Sequence, residues 1–315
     1  MDQQDNANGR NPRTHQSSSQ SWKAELSQYR QPNAWRAVWQ FSTTLSAYVL
    51  AWCAMYFTVQ ISWWLTVPIA VVAGGLLIRL FIIFHDCGHG SFFKSKRANN
   101  YVGFVCGVLT FTPYFRWRWQ HARHHATSGN LDRRGTGDIW TMTVREYLGA
   151  SRWKRFGYRV VRNPAAMFLV GPFVQILILE RIPTGQGHAR ERQSVWWVNL
   201  AIVIMFAALG SVFGLVNYLV IQLLITLIAG SLGIWLFYVQ HQFDDVYWAR
   251  NGEWDYVAAA MQGSSYYKLP RVLQWFSGNI GFHHVHHLNP SNPNYNLEEC
   301  HRAIEMFQEV KPLTL

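Results

Sequence analysis

Four long apolar stretches, roughly 37–61, 65–84, 195–216 and 218–239, constrain this chain more than any other feature. Each is long enough to cross ~30 Å of hydrocarbon as a helix. A helix satisfies its own backbone hydrogen bonds, as lipid requires. The first two are separated only by Ser62-Trp63-Trp64 and the last two by little more than Asn217, so both pairs read as helical hairpins. The expected fold is an all-α integral membrane protein with four transmembrane helices in two hairpins. Two shorter apolar pieces, 101–115 and 171–179, are too short to span and read as re-entrant or interfacial. Residues 1–36, rich in Gln, Asn, Ser and Arg, read as a disordered polar and basic tail, and 37–315 as the folded domain. No cleavable signal peptide is expected, because the first thirty residues contain no apolar core.

Charge orients the spans. The formal net charge is +11, and 17 of the 28 Lys and Arg lie between residues 85 and 194. Neither interhelical link carries one, and Arg79 alone sits inside a span. By the positive-inside tendency the N-terminal tail, the middle segment and the C-terminal segment face the cytosol, with both termini inside. Basic residues that flank apolar runs point to membrane lipids or an acidic partner, not to nucleic acid. Sixteen Trp and 14 Tyr suit interfacial belts. The four cysteines are scattered, which argues against a disulfide framework or a thiolate metal site.

The chemistry lies in histidine. Of 13 histidines, ten gather in three clusters and one isolated position. His85 and His89 form H-x-x-x-H, while His121, His124 and His125 form H-x-x-H-H. His283, His286 and His287 repeat that second pattern, with His284 between them, and His241 ends the last apolar run. On a helix, positions i, i+3 and i+4 share a face, so each cluster delivers two or three imidazoles to one point. Imidazole suits Zn, Cu, Fe and Ni. A single zinc takes three or four ligands, fewer than the nine available. Two metals with open positions fit the count better. His15, His188 and His301 are not expected to be ligands. A metal transporter or sensor would place ligands along a path at mid-membrane depth. Here the candidates fall at or outside the ends of the apolar runs, all on the side assigned to the cytosol.

These boxes resemble those of the integral-membrane fatty acid desaturases, in particular the acyl-lipid Δ12/ω6-type and bacterial enzymes. The similarity extends to Pro113-Tyr114-Phe115-Arg116-Trp117, Ser128-Gly129-Asn130-Leu131, Gly278-Asn279-Ile280-Gly281-Phe282, Leu288-Asn289-Pro290 and Pro293-Asn294-Tyr295-Asn296-Leu297. It covers about residues 37–305. The resemblance implies a cytosolic helical cap carrying two iron ions held by His85, His89, His121, His124, His125, His283, His286 and His287, with His241 as a ninth ligand. Zinc can replace iron in overexpressed protein, since such a site does not exclude it by affinity. Asp86 and His284 are candidates to support ligands from behind.

The implied reaction is O2-dependent introduction of a C=C bond into a fatty acyl chain carried by a lipid, CoA or a carrier protein. Hydroxylation, acetylenation or carotenoid oxidation at the same kind of centre is the alternative. No side chain is basic enough to deprotonate an alkane, so the metal and O2 must carry the chemistry. An apolar slot would place one methylene pair, and Trp235, Phe237, Tyr238 and Trp275 are candidates to line it. No H-P-G-G haem motif occurs, so a separate electron donor (ferredoxin, flavodoxin or cytochrome b5) is expected. Arg133, Arg134, Arg152, Lys154, Arg155 and Arg159 are its candidate docking residues.

Overall fold

The computed structural model describes residues 22–184 and 187–315. The expected tail through residue 21, with His15, lies outside them. Four long helices dominate: Ala34–Thr58, Trp63–His89, Ala189–Phe213 and Leu215–His241. Three are long and apolar enough to cross a membrane, namely Trp63–His89, Ala189–Phe213 and Leu215–His241. Ala34–Thr58 has the length but falls short in apolarity, and its polar residues explain why. Gln40 and Thr44 are buried against protein. Gln40 Nε2 donates to Asn294 Oδ1 at 2.9 Å, and Thr44 Oγ1 accepts from Arg79 Nε at 3.2 Å. A hydropathy-based reading of this helix therefore counts side chains that never meet lipid.

Local signals set the helix ends. Ser62 caps Trp63–His89 through its hydroxyl, and Gly90 stops it in the left-handed region at φ 73°. Gly214, at φ 77°, breaks the last two long helices from each other. The piece expected at 101–115 is divided. Helix Lys96–Leu109 takes most of it, and a turn then starts helix Tyr114–Thr127. Helix Arg152–Val161 and the irregular helical run Ala166–Arg181 meet at a 65° bend, a geometry of a broken span or a re-entrant loop.

One core cluster lies among the long helices and includes Met55, Leu80, Ile83, Phe84, Tyr218 and Ile225. A second, with Leu26, Val285, Leu297, Ile304 and Phe307, lies under the C-terminal segment. Leu26 is 1% exposed there, although the sequence assigned it to the tail. Arg30 Nε donates to Asn289 Oδ1 at 2.9 Å, which ties the same stretch to the segment after the third histidine box. Short helices Tyr256–Met261, Arg271–Phe276, His283–Leu288, Asn294–Ala303 and Glu305–Gln308 complete that region. Its only regular strands among the described residues are Tyr266–Tyr267 and Pro312–Leu313, a parallel pair.

Candidate metal centre

Four helices converge to build the site. Trp63–His89 carries His85 and His89 in its final turn, and Tyr114–Thr127 carries His121, His124 and His125 on one face. Leu215–His241 contributes its last residue, and the six-residue helix His283–Leu288 contributes three more imidazoles. Close packing permits this convergence. A Cβ on Gly103 would lie 2.2 Å from the Tyr114 ring, and a Cβ on Gly88 2.9 Å from the Trp117 ring. Tyr114 then donates from its hydroxyl to the Cys87 carbonyl at 2.6 Å, between the first two boxes. Trp117 stacks on His121 with ring centres 4.3 Å apart.

All nine candidate histidines come together, and they divide into two groups. His85, His89, His121, His125 and His286 can offer ligand atoms within 4.8 Å of one another, and so can His124, His241 and His287. His283 joins the second group, its Nε2 lying 2.9 Å from His241 Nε2. Seven of the nine are buried, and His89 and His121 are half-buried. No cysteine joins either group.

Ring orientation tests whether these residues suit a metal. His85 Nδ1 donates to Asp86 Oδ1 at 3.0 Å, and His124 Nδ1 to Asp138 Oδ1 at 2.7 Å. His241 Nδ1 donates to the Gly263 carbonyl at 3.1 Å. A neutral imidazole has one N–H, so these three rings present bare Nε2 lone pairs. His124 Nε2 and His241 Nε2 nevertheless face each other at 3.1 Å. Two lone pairs at that distance repel unless a cation lies between them. His89 Nε2 and His287 Nε2 are buried without a hydrogen-bond partner. The donor set therefore fits metal ions held by imidazole.

The electrostatics agree. Burial first, and then neighbouring imidazoles, hold His121, His125, His283, His286 and His287 well below the usual histidine range. The neutral ring is the form that binds a metal.

The supporting residues differ in part from the sequence reading. Asp86 stands behind His85, and its Oδ2 accepts from the Asn294 backbone N–H at 2.6 Å and side-chain amide at 2.8 Å. His284 turns away. Its Nε2 lies 3.1 Å from His301 Nδ1, and it makes no hydrogen bond with any of the nine. Asp138 was not singled out by the sequence. It lies fourteen residues after His124 on an irregular loop, so no periodicity marks it; an acid close after a histidine box was the only signal. Phe237 packs against His124 and His241 with ring centres 5.3 and 5.2 Å away. Trp235 and Trp275 are partly exposed, and Tyr238 bonds to Arg162 at 3.4 Å. Only Phe237 of the four candidates for the slot touches the histidines.

The basic candidates are not equivalent. Arg133, Arg152, Lys154 and Arg159 are exposed, whereas Arg134 and Arg155 are half-buried. Arg134 is paired with Glu146, and Arg159 Nε donates to Tyr147 Oη at 2.6 Å.

Comparison with known proteins agrees with this chemistry. Residues 62–312 match the family described as fatty acid desaturase. A fatty acid desaturase of Bacillus subtilis is 47% identical over 291 residues, which cover 92% of this chain and 83% of that protein. An sn-1 acyl-lipid omega-3 desaturase (ferredoxin) of Synechocystis is 28% identical, over 83% of this chain and 70% of that one. An sn-1 oleoyl-lipid 12-desaturase of Picosynechococcus is 26% identical, over 77% and 70% respectively.

Proposed function

The chain belongs to the fatty acid desaturase family, and from that premise we propose that it desaturates the acyl chain of a membrane lipid at a di-iron centre held by histidine alone. That it is a membrane enzyme acting on fatty acyl chains follows from the family. The metal's identity and number, the carrier and the donor are the proposal. The observation that carries it is the pair of imidazole groups, with His124 and His241 presenting lone pairs to each other at 3.1 Å.

His85, His89, His121, His125 and His286 would hold one iron, and His124, His241, His283 and His287 the other. Iron, when bound, supplies activation of O2. The chain's own groups do the rest. Asp86, Asp138 and the Gly263 carbonyl each accept a proton-bearing Nδ1, which fixes the tautomer and aims Nε2 inward. Phe237 gives one apolar wall beside the second group. Removal of two hydrogens from adjacent methylenes releases two electrons, and reduction of O2 to two waters takes four. A separate donor protein supplies the remaining pair.

The relatives named for lipid-linked substrates and for ferredoxin support a lipid carrier and a small acidic donor. The exposed Arg133, Arg152 and Arg159 are the best-placed docking residues of the original six. Docking of this kind weakens as salt shortens the Debye length from ~10 Å at 0.1 M. A donor KM that does not change with ionic strength would remove that part of the account.

The reaction is tested by expression in a host of defined lipid composition, with mass spectrometry of double-bond positions. New unsaturated acyl chains that vanish in His124→Ala are expected. Hydroxylated or acetylenic products, or none when iron and donor are supplied, would contradict the assignment.

A further inference from the structure

A cleft of about 320 Å³ opens beside the second imidazole group, lined by Arg134, Ile139, Trp140, Thr141, Glu146 and Lys154, with Gly135 and Met142. Its volume is at the lower end for small-molecule sites. Two features connect it to the metal side. Ile139 also lines a cavity of about 10 Å³ bounded by His124, Phe237 and His241, with room for about one water. Thr141 Oγ1, in the cleft, accepts from Gln242 Nε2 at 3.3 Å, and Gln242 lines that smaller cavity. The cleft is thus separated from the imidazoles by one layer of side chains.

The cleft also lies at a surface suited to lipid. Lys154 belongs to helix Arg152–Val161, whose Trp153 is 70% and Phe156 60% exposed, flanked by Arg152 and Arg159. Exposed aromatics beside basic side chains are the pattern of a helix lying in the bilayer interface. Within the cleft the two cations differ. Arg134 is neutralised by Glu146. Lys154 makes no ion pair among the described residues.

We infer that this cleft holds the phosphate-bearing headgroup of the substrate phospholipid, with Lys154 on the phosphate and the acyl chain running past Ile139 toward His124 and His241. The inference rests on the lipid-desaturase reading above and adds the place where the lipid is anchored. It withdraws Lys154 and Arg134 from the donor surface. Ile139 is the wall that the chain must displace.

The test uses the full-length iron-loaded enzyme with its donor, in detergent, with short-chain phosphatidylglycerol as the varied substrate. Inorganic phosphate and an acyl-CoA serve as competitors. Loss of a charge-assisted contact should raise KM for phosphatidylglycerol about tenfold or more in Lys154→Glu and Lys154→Gln, with kcat kept. Lys154→Arg should stay close to wild type, as should the charge-matched control Arg271→Glu on an exposed remote helix. Ile139→Trp should lower turnover without loss of metal. Phosphate should compete only weakly, since a headgroup site gains the rest of its affinity from the acyl chain. An unchanged KM in Lys154→Glu, while wild type desaturates the lipid, would overturn the headgroup site and leave the desaturase reading intact. Competition by acyl-CoA stronger than by the lipid would also overturn it, in favour of a soluble thioester. A wild-type enzyme that desaturates nothing would instead sink the reading beneath it.

Discussion

The hydrogen bond from His124 to Asp138 illustrates how a single carboxylate can decide the chemistry of a ligand 14 positions away. It commits Nδ1 as a donor and leaves Nε2 free for a metal. Asp138→Ala should lower metal affinity of the second group about 10–100-fold, read by chelator competition on the purified protein. An unchanged affinity would show that packing alone orients His124. His241→Ala should lose that metal and turnover together, while His188→Ala should be nearly silent in the same assays. His301 offers a different readout. It is buried, and burial together with Arg302 pushes it down from 6.5 to about 4. Between those values the unfolded chain takes up a proton that the folded one refuses. Its contribution to stability is therefore full above pH 6.5 and declines as pH falls toward 4. Thermal unfolding of the metal-free protein in detergent should show that decline, less steeply in His301→Gln. Equal slopes would place the pH sensitivity in other groups, His284 and the metal-side imidazoles first among them.

Helices convert these contacts into a site, and they were only partly legible. The H-x-x-H-H spacing places three imidazoles on one helical face, a local rule that needs no tertiary information, but it does not show that each box is shared: His121 and His125 join the first group and His124 the second, and His286 and His287 divide in the same way. The two long helices that end at His89 and His241 were readable for the same reason. Helix Ala34–Thr58 was expected as the first span from its apolar stretch, and what the sequence could not show is that its Gln40 and Thr44 are satisfied by Asn294 and Arg79, far off in sequence. The 22–36 stretch was assigned to the tail for lack of apolar density, yet Leu26 inserts into the C-terminal core, with Trp22 and Tyr29 packed against it. His284 was expected to support the ligands from behind, but the helix turns it toward His301. Spacing cannot show a partner that only folding supplies. The helix carrying box two depends on close approach at Gly103. Gly103→Ala should destabilise the protein by about 1–3 kcal/mol and lower its metal content, since Tyr114 must shift. A variant with full metal content and unchanged melting would show that the ring has room to move.

Taken as a whole molecule, the chain gathers the proposed metal-binding cap where helices Trp63–His89 and Leu215–His241 end. The candidate ligands sit at or beyond the ends of the two long helices, which suits chemistry at a membrane surface more than passage through it. The proposed orientation puts that cap in the cytosol. Gln60→Cys, in the first interhelical link and on a background without Cys53, should react with an impermeant maleimide on intact cells, and Lys268→Cys only after lysis. The opposite pattern would invert the topology. The central claim is a two-metal centre with nitrogen ligands, and its most direct test is metal analysis combined with X-ray absorption on protein purified from iron-replete cells. The account predicts two iron ions per chain, coordinated by imidazole nitrogen and solvent oxygen, with zinc appearing only as a replacement at the same stoichiometry. One ion per chain, or sulfur in the coordination shell, would contradict it.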